Sequence, residues 1–156
     1  MNVELFPAVV AGVIGGAVMV VLQVAATAAA RRQFDLLGMW ATLLAMEAVP
    51  AVGLVVHLAV SGAIAVLYAI GFSIAGAADY GWAWGLTGAI LHWLVAGSFL
   101  NGVPESERRL ASPGPFAARL GAPAAVGFFV VHLAFGLVVG VTYFALHSDG
   151  GLASAF

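Results

Sequence analysis

The chain contains no cysteine, which excludes disulfide bridges, thiolate metal sites and thiol redox chemistry. Charge is nearly as scarce. Only 8% of the 156 residues are charged, the formal net charge is −2, and the five basic residues are all arginine. They form no basic stripe, so nucleic-acid partners are excluded. Gly-rich phosphate loops, His-Glu-x-x-His helices and nucleophile-elbow patterns are missing as well. Ser106 sits in a charged segment with no base beside it. The chain therefore reads as a non-enzyme.

What is present is apolar. Hydrophobic residues make up 63% of the chain and mean hydropathy is +1.11, more than a soluble domain of this size can carry on its surface. Apolar runs of about 20 residues cross a hydrocarbon core about 30 Å thick as helix, and the alternating pattern of a membrane barrel is absent. The expectation is one all-α, integral-membrane domain over 1–156. Its spanning helices lie at about 6–30, 51–75, 81–100 and 124–146, with loops at about 31–50 and 101–123.

The first run could be mistaken for a signal peptide ending at Ala28-Ala29-Ala30, but Glu4 precedes it and no positive charge does, and the apolar core is longer than signal cores usually are. Between the first two spans, Pro50 and Glu47 suggest a break, so about Asp35 to Ala48 reads as an interfacial or re-entrant segment with Trp40 at the boundary. Tyr80, Trp82 and Trp84 form an aromatic cluster at the opposite boundary. The stretch 101–123 holds four of the six prolines and reads as the one sizeable exposed loop. His147 and Asp149 fall in a short polar tail. All basic residues, Arg31, Arg32, Arg108, Arg109 and Arg119, lie in the two loops that a four-helix path puts on one side. Those loops are then cytoplasmic and both termini non-cytoplasmic.

The two halves match in order. Gly12-Val13-Ile14-Gly15 answers Gly85-Leu86-Thr87-Gly88, Arg31-Arg32 answers Arg108-Arg109, and Ala51-Val52-Gly53 answers Ala125-Val126-Gly127. His57-Leu58-Ala59 with Tyr68 returns as His132-Leu133-Ala134 with Tyr143. Eleven helical steps come to about 1100°, so each histidine shares a face with its tyrosine, about 16 Å away. The reading is a bundle of two tandem helical hairpins, a parallel 2+2 repeat. His92 reaches a similar depth from the third helix, and its repeat partner is Met19.

A histidine inside a membrane is expensive and faces protein or water rather than lipid. One reading makes the three histidines polar fasteners between helices, with the tyrosines hydrogen-bonding near the outer boundary. A second makes His57, His132 and His92 candidate axial ligands of a haem b or a chlorophyll-type pigment, with Ser61 and Gly136, one turn on, leaving space for a flat ring. A third is transport or proton relay through Glu47, Gln23, Tyr68 and Tyr143. A copper or zinc site from the histidines and Met19 ranks below these, for want of a carboxylate or thiolate at that level. Gly12/Gly16 and Gly136/Gly140 are helix-packing faces, usable between chains or inside the bundle. The resulting expectation is a small subunit in a larger membrane complex, such as an electron-transfer or photosynthetic one, partnered by the bilayer and by other membrane subunits or itself.

Phe34, Leu37, Gly38 and His57, with the looser copy Phe116, Leu120, Gly121 and His132, resemble a class of small four-helix bacterial membrane proteins in which a Phe-x-x-Leu-Gly loop precedes a histidine-bearing helix. The resemblance covers most of the chain. It implies the fold and no activity; the expected location is a bacterial inner membrane.

Overall fold

The computed structural model describes residues 2–30, 40, 49–102, 112–147 and 155–156. It is helical, with no strand among these residues. Four helices carry the fold: α1 (Leu5–Ala30), α2 (Pro50–Ile74), α3 (Gly81–Phe99) and α4 (Ala122–Leu146). All four are long and apolar enough to cross a membrane. The segment expected to be interfacial, the relay candidate Glu47, the arginines at 31, 32, 108 and 109, Ser106 and Asp149 lie outside the described residues.

Local chemistry sets the helix ends. Pro50 opens α2 in the first turn, where its missing N–H has no helical partner to lose. At the other end Gly76 adopts φ +68°, and the N–H groups of Gly76 and Ala77 bond the carbonyls of Ser73 and Phe72 at 3.2 and 2.9 Å. That pairing satisfies the last carbonyls of α2 and stops the helix. Three residues later Tyr80, also left-handed at φ 59°, turns the chain into α3.

The helices cross through small residues. A β-carbon added at Gly12 of α1 would strike the Ser61 carbonyl and lie 2.7 Å from the Ala65 β-carbon of α2. One added at Gly85 of α3 would strike the Gly136 carbonyl and lie 3.0 Å from the Gly140 α-carbon of α4. Only glycine permits backbones so close. Both glycine faces are thus used within the bundle. The two crossings also fall at corresponding places of the sequence alignment, Gly12 with Gly85 and Ser61 with Gly136.

Packing around the bundle is unequal. α1 packs along both α2 and α4, and α4 along α3, but α2 and α3 barely meet. The buried core follows the α1–α4 seam and the inner face of α2, with Ala8, Ala11, Ala65, Ala69, Phe72, Phe135, Val139, Tyr143 and Phe144. Outside it the chain is openly apolar: Val21, Leu67, Ile74, Leu91 and Phe99 are all exposed.

Two sequence expectations need correction. The stretch 101–123 is not wholly an exposed loop, because Ser112, Pro113, Gly114 and Ala117 are buried. The short 3-10 turn Pro115–Leu120 places the Phe116 ring 4.7 Å from that of Trp93, over Gly97, where a side chain would collide. Nor is His147 part of a solvated tail. Its side chain is buried, its Nε2–H donates to the Asn2 carbonyl at 2.8 Å, and the Glu4 carboxylate lies 3.8 Å away. Tyr143 joins this clasp, accepting from the Glu4 N–H at 3.2 Å and donating to the Asn2 carbonyl at 3.5 Å.

Candidate ligand cleft

Where α2 and α3 fail to pack, a cleft of about 700 Å³ opens between them, a volume within the range of small-molecule sites. Met19 of α1, His57 and Tyr68 of α2, His92 of α3 and His132 of α4 all line it. Three histidines and a methionine distant in sequence thus share one space. α2 reaches across the cleft chiefly through Tyr68, whose ring lies where a side chain at Gly88 would be, 2.6 Å from Cε1 to that hypothetical β-carbon. The rest of the lining is almost entirely apolar, with the rings of Trp40, Trp84 and Phe128 among it.

The three histidines are held in three ways. His57, 4% exposed, donates from Nε2 to the Gly16 carbonyl of α1 at 3.2 Å, which fastens one helix to the next and leaves Nδ1 as the bare nitrogen. His132 donates from Nδ1 to the Phe128 carbonyl of its own helix at 2.6 Å. That bond fixes the tautomer and leaves Nε2 with a free lone pair. His92 has a buried Nδ1 with no hydrogen-bond partner, and Tyr68 Oη is in the same condition. The rings of Tyr68 and His92 stand 6.2 Å apart at 90°, and those of His92 and His132 4.8 Å apart.

This geometry bears on the ligand candidates. Among the described residues no group of three His, Asp or Glu side chains is placed to hold a metal ion. α2 and α4, which carry His57 and His132, meet through aromatic rings, Tyr68 against Phe135 at 5.9 Å and Phe72 against Tyr143 and Phe144 at 6.0 and 5.6 Å between centroids. The space foreseen one turn after each histidine is also taken. Ser61 is pressed against Gly12 and Gly16, and Gly136 against Gly85 and Ala89. The open volume lies instead on the far side of the histidines, toward α3, where Gly71 would meet no atom within 4 Å if given a β-carbon.

The relay candidates do not assemble among the described residues. Gln23 is half-buried one turn beyond Met19 and does not line the cleft, and Tyr143 is fully buried in the clasp between chain ends. Of the three candidates among the described residues, Tyr68 alone lines the cleft. Sequence reasoning missed Trp40, Trp84 and Phe128 as lining residues; their aromatic character was visible, but nothing in an apolar helix marks which face borders a gap. No family model, no curated protein and no solved structure matches this chain.

Proposed function

We propose that this chain is a small integral-membrane subunit that holds a flat, membrane-soluble ligand in the cleft between α2 and α3. The observation that carries the reading is the convergence of His57, His92, His132 and Tyr68 on an otherwise apolar cleft of about 700 Å³, because an apolar pocket with a few converging polar groups is the usual form of a ligand site. The four long apolar helices and their exposed Val, Leu, Ile and Phe side chains support placement in a bilayer. The arginine distribution supports cytoplasmic loops and non-cytoplasmic termini, in keeping with a bacterial inner membrane. Duplication of a helical hairpin is supported by the glycine crossings at corresponding positions. A larger assembly remains part of the proposal, since the outer faces of α2 and α3 suit lipid or a neighbouring subunit equally.

The direct test is mass spectrometry of apolar compounds that co-purify in mild detergent. A near-stoichiometric compound is expected with the wild type and not with Gly71→Leu, which fills the cleft from an unobstructed position. Equal complements in both proteins would overturn the reading.

A tetrapyrrole is the second reading, supported by the bare Nε2 of His132, positioned as in single-histidine ligation. An absorption spectrum before and after dithionite tests it: a Soret band lost in His132→Ala supports haem, a red band indifferent to reductant supports a chlorophyll-type pigment, and a colourless protein removes both.

A further inference from the structure

We infer that the ligand of this cleft carries a neutral hydroxyl whose hydrogen is received by His132 Nε2, as in a lipid-soluble phenol or ring alcohol. The inference rests on the reading of the cleft as a ligand site and adds the chemistry of what fills it. Its basis is a histidine whose burial no hydrogen bond between helices explains. His132 is 4% exposed, and its Nδ1–H bond to the Phe128 carbonyl at 2.6 Å ties no second helix. That carbonyl already receives the helix's own N–H four residues on. What the bond achieves is to fix the ring and its tautomer, so that Nε2 acts only as an acceptor. His57, by contrast, gives its N–H to the Gly16 carbonyl of α1, and fastening the two helices accounts for it.

Tyr68 Oη and His92 Nδ1 are sealed within the protein and lie out of a guest's reach. His132 Nε2 has no partner either, but it is not one of the sealed atoms, and the open volume that His132 lines is the cleft. The group that complements a bare lone pair there is a proton donor. It is neutral, because no carboxylate lines the cleft among the described residues and a cation buried without one is costly. It is an O–H rather than an amide N–H, since an amide brings a strong carbonyl acceptor into the same apolar volume. The body that carries it is soluble in lipid, because the cleft opens between two helices whose outer faces are apolar, with Leu67 and Leu91 exposed at its lips. The rings of Trp84 and Phe128 border the space and pack well against another ring. The metal of a tetrapyrrole would use the same lone pair, and the absorption spectrum separates that case.

The test uses the full chain in lipid nanodiscs and two radiolabelled probes, para-nonylphenol and its methyl ether, which has nearly the same shape without the O–H. Binding is counted in excess of protein-free nanodiscs. The phenol is expected to bind about tenfold more tightly than the ether. His132→Phe, which keeps a flat ring and removes the acceptor, is expected to lower phenol affinity about tenfold and to leave the ether's affinity unchanged. In the wild type, nitrogen NMR of labelled histidine is expected to show the His132 Nε2 resonance moving when the phenol is added and staying when the ether is added, a readout that needs no variant to fold. Equal binding of the two probes, both lost in Gly71→Leu, would overturn the hydroxyl assignment while the cleft remains a ligand site. A His132 resonance indifferent to bound phenol, or a His132→Phe protein that binds phenol as the wild type does, would overturn it too. Failure of both probes to bind the wild type would overturn the ligand cleft together with it.

Discussion

The two hairpins cross in the same way and use their histidines differently. Gly12 meets Ser61 in the first hairpin as Gly85 meets Gly136 in the second, so backbone packing is alike. His57 reaches from α2 to the Gly16 carbonyl of the neighbouring helix, whereas His132 turns its Nδ1–H onto the Phe128 carbonyl of its own helix. The first histidine is a fastener and the second keeps a free nitrogen. Close helix crossings leave little room for divergence, since almost any side chain larger than hydrogen collides. A polar side chain at the rim of a cleft has several acceptors in reach, and a change of rotamer converts one role into the other.

The comparison can be broken most forcefully at the crossings. Gly85→Leu is expected to destabilise the protein by about 3 kcal/mol or more, since the added side chain meets backbone rather than a movable side chain. Gly12→Leu should do the same, measured by thermal unfolding in detergent. A large loss for one and none for the other would dissolve the equivalence of the two hairpins. A smaller effect separates the histidines. His57→Leu removes the bond to Gly16 and is expected to cost about 1 kcal/mol. His132→Leu removes only a bond within one helix, whose carbonyl keeps its helical partner, and should cost less than about 0.5 kcal/mol. Equal losses in the same unfolding assay would mean that His132 is a fastener too. The smallest expected effect contrasts glycines. Gly71→Ala, facing open space, should be neutral or raise stability by up to about 1 kcal/mol through helix propensity, where the same change at Gly136, against Gly85 and Ala89, is expected to be destabilising.

Several of these features were legible in the chain itself. The helices follow from apolar run length, because a bilayer-scale run of Val, Leu, Ala and Gly has no other economical structure. His57, His92, His132 and Met19 line one cleft, and their similar depths are readable from their positions along the apolar runs and the rise of a helix. The cleft itself is not, because α2 and α3 are apolar on all sides, and a gap then leaves no signature in hydrophobic periodicity. Gly71 and Gly136 look alike in sequence; one faces empty space and the other a neighbouring backbone. His147 read as tail because Ser148 and Asp149 follow it, yet its partner, Asn2, lies 145 positions away in the chain. Phe116 read as loop, and its half-buried seat on α3 depends on Gly97 leaving room for its ring.

The clasp between the chain ends bears on how the molecule comes together. Each hairpin joins helices that are neighbours in sequence, so its closure spans far less chain than the α1–α4 seam does, and it can form early. The seam between α1 and α4, sealed by Asn2, Glu4, Tyr143 and His147, links the most distant parts of the chain and has the highest contact order in the fold. It is the contact whose closure entropy is greatest, and it unites two preformed units. Docking along that one seam brings α1 onto α4 and sets α2 and α3 facing each other, touching through Tyr68 and Gly88. The cleft is therefore a product of assembly rather than of any local segment: neither hairpin contains it alone, and it exists only once the two have joined.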